Sequence, residues 1–136
     1  MEEPRIPEPL ASMPSIGAPL RVLVVEDEPL VREVLSVYLS EDEHVIEVAE
    51  NGREGLEKFQ AGEYDLVLTD RAMPEMNGDT LAAEIKKLKP GQKVILLTGF
   101  GDVIGGGEQP SGIDMVVAKP FTLSTLRNAI QKVLGR

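Results

Sequence analysis

The chain has no cysteine and no tryptophan, and only 4% of its residues are aromatic. Without thiols it holds no disulfide framework, no thiolate zinc centre and no thiol nucleophile. Positive charge is also scarce. Fourteen Lys and Arg face 23 Asp and Glu, a formal net charge of −9. That balance argues against a free-standing nucleic-acid binder, which needs a basic face. It equally disfavours an anionic membrane surface. No apolar run approaches the roughly 18 residues of a membrane span. The N-terminus lacks the basic start and apolar core of a signal peptide. A cytoplasmic location is the expectation. What the chain has is aliphatic: 42% of its 136 residues are hydrophobic. That suits one domain with a core of Leu, Val, Ile and Ala, as in sheets buried on both faces.

Residues 1–19 hold five prolines and no apolar period. They read as an extended, mobile linker or tail, with the domain occupying residues 20–136. From Leu20 short apolar runs alternate with helical stripes. Arg21–Val25, Val45–Ala49, Asp65–Thr69, Lys93–Leu97 and Asp114–Ala118 read as five strands. Pro29 suits the first turn of a helix, whose inward stripe is Val31, Val34, Leu35 and Tyr38. Gly52–Ala61 carries Leu56 and Phe59 inward, and Asp79–Leu88 carries Leu81, Ile85 and Leu88. Thr122 caps a last helix striped by Leu123, Leu126, Ile130, Val133 and Leu134. Strand–helix alternation predicts a doubly wound α/β fold: a five-stranded parallel sheet in the flavodoxin-like order 2-1-3-4-5. The alternation fails once. Residues 101–112 contain Gly105–Gly107 and Pro110, so the fourth helix of such a fold is expected to be short or missing.

In an open α/β sheet, function lies beyond the carboxyl ends of the strands, at the switch in strand order. Strand one ends in Glu26 and Asp27, strand three in Asp70, strand four in Thr98 and strand five in Lys119. Three carboxylates at one point raise each other's pKa. A divalent cation removes that conflict, and hard oxygen ligands favour Mg²⁺, with Mn²⁺ as a substitute. A carboxylate is also a nucleophile able to form an aspartyl phosphate. The Lys119 ammonium and the Thr98 hydroxyl could then each face a phosphoryl oxygen. Singly, each residue has a plainer reading: a turn acid, a strand-closing threonine, a solvated lysine. Their joint placement at four strand ends is what favours chemistry.

Four pieces carry a resemblance: V-L-V-V-E-D-E-P at 22–29, L-V-L-T-D-R-A-M-P-E-M-N-G at 66–78, I-L-L-T-G at 95–99 and A-K-P-F at 118–121. In this order and spacing the chain resembles the receiver domain of two-component response regulators. The resemblance implies that Asp70 accepts a phosphoryl group from the phosphohistidine of a sensor histidine kinase or a histidine phosphotransfer domain. It implies that Glu26 and Asp27 hold Mg²⁺ beside Asp70, with the Ala72 backbone carbonyl as a further ligand. Thr98 would turn toward the phosphoryl group, Lys119 would pair with it, and Lys119–Pro120 would be cis. Such a domain catalyses its own phosphorylation and dephosphorylation but is not otherwise an enzyme. It would act as a monomer or weak dimer. The proline-rich start suggests the C-terminal receiver of a hybrid sensor kinase.

Several positions depart from the family pattern. Val116 stands where an aromatic residue often follows the threonine's movement. The glycine-rich 101–112 segment alters the usual output face, so the usual dimer through it is not expected. Ala72 and Phe100 flank the site and cannot orient an attacking water, which predicts slow to moderate dephosphorylation. Arg71 reads as a solvated arginine or as a contact to the phosphodonor. His44 opens strand two, away from the site, and reads as an ordinary surface residue. Three other functions compete. A flavodoxin-like cofactor binder would need a donor-rich loop where Glu26-Asp27-Glu28 stands. A dehalogenase-type phosphatase would want an acid where Ala72 stands. A degenerate receiver would serve as a phosphorylation-independent interaction module.

Overall fold

Arg21–Val25 forms β1, and its residues divide by parity. Val22 and Val24 enter one apolar cluster, Leu23 and Val25 the other. A strand points successive side chains to opposite faces, so a strand apolar at every position has a core on both sides. The computed structural model describes residues 19–99 and 112–135. The expectations for the proline-rich start, for Phe100 and for the glycine-rich segment with its short or missing helix fall outside the described residues.

After β1 come α1 (Pro29–Glu41), β2 (Val45–Ala49), α2 (Gly52–Ala61), β3 (Leu66–Asp70), α3 (Gly78–Leu88), β4 (Lys93–Thr98), β5 (Met115–Ala118) and α4 (Leu123–Leu134). The five strands are parallel in the order β2-β1-β3-β4-β5, as the alternation predicts. One face buries Leu35 and Leu39 of α1 and Leu126 and Ile130 of α4 against Val24, Leu68 and Leu97. The other buries Phe59 of α2 and Leu81 and Ile85 of α3 against Val25, Val67 and Leu96. Each fully buried leucine contributes roughly 1.5–3 kcal/mol.

Helix starts follow local chemistry. Pro29 occupies the first turn of α1. Asn51, Asn77 and Thr122 accept the backbone N–H of Glu54, Thr80 and Thr125 at 2.8, 2.8 and 3.1 Å. Asp42 caps the end of α1 and accepts three hydrogen bonds from the Arg127 guanidinium of α4, at 2.7, 2.8 and 3.1 Å. Tyr38 of α1 meets Phe121 edge-on, with ring centroids 6.2 Å apart. No helix among the described residues is long and apolar enough to cross a membrane.

Three side chains correct the sequence reading. His44 is buried, not a surface residue, because its Nδ1 accepts the Leu20 N–H at 3.0 Å. Val34 and Leu88, placed inward by periodicity, are exposed. In α1 the buried stripe turns to Leu35 and Leu39. Leu88 is the last residue of α3, whose buried face ends at Ile85.

Candidate functional site

The strand registers bring the predicted residues to one end of the sheet. Val25 lies opposite Thr69, Asp70 opposite Leu97, and Thr98 opposite Ala118. The next residue along β1 is Glu26, and the next along β5 is Lys119, so both emerge where β3 ends in Asp70. The main chain fixes the two flanks. Glu26 donates its N–H to Ala49 at 3.0 Å, and Lys119 donates its N–H to the Thr98 carbonyl at 2.7 Å.

Lys119 joins the acids. Its Nζ lies 2.7 Å from Asp70 Oδ1 and 3.3 Å from Glu26 Oε1. Glu26, Asp27 and Asp70 each offer an oxygen within 4.8 Å of the others. Glu26 is fully buried, yet its Oε1 accepts no hydrogen bond. A buried oxygen that has an ammonium at 3.3 Å but makes no hydrogen bond, in a group of three carboxylates, fits a hard divalent cation. These three acids could therefore hold a metal. Thr98 is buried at the end of β4. Ala72 is exposed just beyond Asp70.

Electrostatics reflect the crowding. Burial, and next the charge of Asp70, push the Glu26 carboxyl from 4.5 up to about 7. Burial also raises Asp70, although its hydrogen bond from Lys119 opposes this. Burial opposes the Lys119 charge, but the bond to Asp70 and the charge of Glu26 outweigh it and hold the ammonium above the ordinary lysine range. The Glu26 shift sets a pH dependence. Between about 4.5 and 7 the folded glutamate keeps a proton that the unfolded one has lost. The folded state binds more protons there, so in EDTA its stability falls as pH rises across that window, by at most about 3 kcal/mol. Urea unfolding from pH 4.5 to 8 measures this. Glu26→Gln is expected to flatten the profile, and an equally steep profile in that variant contradicts the assignment.

Three features were not read from the sequence. Arg71 is neither solvated nor free: its guanidinium lies 3.2 Å from Asp79 in the first turn of α3. Arg32 reaches back from α1 to donate to the Glu26 carbonyl at 2.8 Å. Nothing in a lone helical arginine signals that. Gly78 lies against the strand end: a Cβ there would stand 2.3 Å from the Asp70 carbonyl oxygen. Pro74 and Gly78 are turn residues by type, but that chemistry does not signal packing against Asp70. Lys119–Pro120 is cis, as the resemblance implied.

Comparison with known proteins agrees with this arrangement. A family model for the response regulator receiver domain matches residues 22–131. The transcriptional regulatory protein GlrR of Escherichia coli K12 is 35% identical over 119 residues, 85% of this chain and 26% of GlrR. The chain thus spans about a quarter of that relative's length. The response regulator TrrA of Thermotoga maritima, solved in complex with Mg²⁺–BeF, is 41% identical, with a TM-score of 0.75 over 84% of this chain and 98% of that one. TrrA solved with the histidine kinase ThkA gives a TM-score of 0.73 at 41% identity, over 84% of this chain and 97% of that one. With its sheet order, its strand-end acids and lysine, and a family match over most of its length, the chain belongs to the response regulator receiver domains of two-component signalling.

Proposed function

We propose that the chain is a phosphoacceptor, with Asp70 taking a phosphoryl group from the phosphohistidine of a sensor histidine kinase or a histidine phosphotransfer domain. The observation that carries this reading is the Lys119 ammonium set between Asp70 and Glu26, 2.7 and 3.3 Å away. It holds Asp70 ionised, as a nucleophile must be, and supplies a cation able to follow the charge onto a phosphoryl group. An Asp70 carboxylate oxygen bonds to phosphorus. The N–P bond of the donor breaks, its electron pair stays on the imidazole nitrogen, and Asp70 becomes an acyl phosphate. Lys119 then pairs with the phosphoryl oxygens, and the Thr98 hydroxyl donates to another of them. Glu26, Asp27, Asp70 and the Ala72 carbonyl are the proposed ligands of Mg²⁺, for which Mn²⁺ can substitute. When bound, that cation supplies charge neutralisation of the phosphoryl oxygens. The Mg²⁺–BeF complex of TrrA supports this choice of metal.

The donor reading has support from the ThkA–TrrA complex and from the surface beside Lys119. Leu30 and Val37 of α1 are 71% and 54% exposed. A groove of about 490 Å³ runs between Leu30, Val31 and Val34 on one side and Lys119, Pro120 and Phe121 on the other. An apolar surface at the rim of the reacting group suits a docking protein rather than solvent. In this reading the chain is a signalling module, not an enzyme acting on other substrates, and works in the cytoplasm as a monomer or weak dimer. Incubation with acetyl phosphate and Mg²⁺ is expected to add one phosphoryl mass, lost in Asp70→Asn and in EDTA. A wild-type chain that gains no mass under those conditions, or an Asp70→Asn variant that still does, overturns the proposal.

A further inference from the structure

Arg32 stands outside the groups assigned so far, yet it grips the segment that carries two of the three acids. Glu26 has four polar positions. Its N–H goes to Ala49 at 3.0 Å, its carboxylate Oε2 accepts the Glu28 N–H at 3.1 Å, and its carbonyl accepts Arg32 Nη1 at 2.8 Å. Only Oε1 takes no hydrogen bond. Two of the three clamps are main-chain groups, which most substitutions leave in place. Among the described residues, Arg32 is the clamp supplied by a side chain.

We infer that Arg32 is a positioning residue for the cation site: by holding the Glu26 carbonyl it fixes the Glu26–Asp27 peptide and aims both carboxylates. The inference rests on the cation-site reading above. The geometry of α1 makes the grip rigid. Pro29 begins the helix, and Arg32, one turn in, donates its own N–H to the Glu28 carbonyl at 3.0 Å. The guanidinium therefore projects from a fixed base back across the loop it braces. Its second nitrogen lies 3.9 Å from Glu50 Oε2, beyond β2. That contact is long and Glu50 is exposed, so it adds little. Glu26 itself is fully buried, so without Arg32 its carbonyl must turn to find another donor, and the peptide turns with it. A planar fork holds such a carbonyl more firmly than a single ammonium.

The test compares Mg²⁺ dissociation constants, by calorimetry, with melting temperatures in EDTA, for the wild type, Arg32→Gln, Arg32→Lys and Glu50→Gln. Residues behind metal ligands typically alter affinity by about 10–100-fold. Arg32→Gln is expected to weaken Mg²⁺ binding by about tenfold or more and Arg32→Lys by about threefold. Glu50→Gln is expected to stay within about twofold of wild type. An Arg32→Gln variant with a lowered melting temperature but Mg²⁺ affinity within about twofold of wild type would show a purely structural role and overturn the inference. If Arg32→Gln does not fold, Arg32→Lys decides in the same way. A wild-type chain that binds no Mg²⁺ overturns the cation-site reading before any substitution is made, which separates the two failures.

Discussion

Lys119→Met is expected to destabilise the fold by about 3 kcal/mol at pH 8 and by less than about 1 kcal/mol at pH 5. The lysine is the cation that lies between Asp70 and Glu26, both buried. Methionine keeps most of the aliphatic stem and removes the charge. At pH 8 two neighbouring carboxylates are then left in a poorly solvated site, and taking one partner from a buried ion pair is costly. At pH 5 the penalty shrinks because the acids can protonate. Glu26 already holds its proton up to about pH 7, and Asp70, raised by burial, loses the bond that opposed that rise. Both folded pKa values thus move further above their unfolded values, so the added cost appears as pH rises. Urea unfolding in EDTA at the two pH values measures the difference. A penalty equal at both would assign the role of Lys119 to packing rather than charge.

Gly78→Ala is expected to cost about 3 kcal/mol and to slow phosphoryl uptake even where the variant is folded. The new Cβ would stand 2.3 Å from the Asp70 carbonyl oxygen, 2.7 Å from Leu96 Cδ1 and 3.1 Å from Arg71 Cα. A leucine methyl can swing aside. The carbonyl of a buried strand end cannot move without taking Asp70 with it. The neighbouring residue is pinned as well: the Arg71 N–H goes to Leu97 and its carbonyl accepts the Gly78 N–H, both at 2.9 Å. Gly91→Ala is the control. A Cβ there meets nothing within 4 Å, so the expected change is within about 0.5 kcal/mol. Thermal unfolding and acetyl-phosphate labelling of both variants check this pair. A Gly78→Ala protein as stable as the Gly91→Ala protein would contradict the steric account.

The fold and the site acids were legible because short apolar runs ended on charged residues. Glu26 and Lys119 each follow, and Asp70 ends, a strand whose length and composition announce it, and parallel register does the rest. What escaped depended on distances that no local pattern encodes. Val34 lies on the helical stripe, but the sheet under α1 takes Leu35 and Leu39 instead. His44 is buried because the main chain of Leu20 arrives beside it. Arg71 finds Asp79 only once the turn after β3 has closed. Gly78 is written as a turn residue, yet the clash that requires it involves Asp70 and Leu96. Each of these is a fact about packing between segments.

The sheet order has a consequence for a chain emerging from the ribosome. β1 is made first but lies between β2 and β3, so both strands that flank it are synthesised before Lys119. Docking of β3 before β5 is made would crowd three carboxylates together with Lys119 still unmade. The lysine that balances them comes 49 positions after Asp70 in the sequence. Arg127, which ties α4 to Asp42 at the far end of α1, comes later still. Until that last stretch is released, the nascent domain is expected to stay open, and under the proposed phosphoacceptor function a truncated chain is expected to take no phosphoryl group.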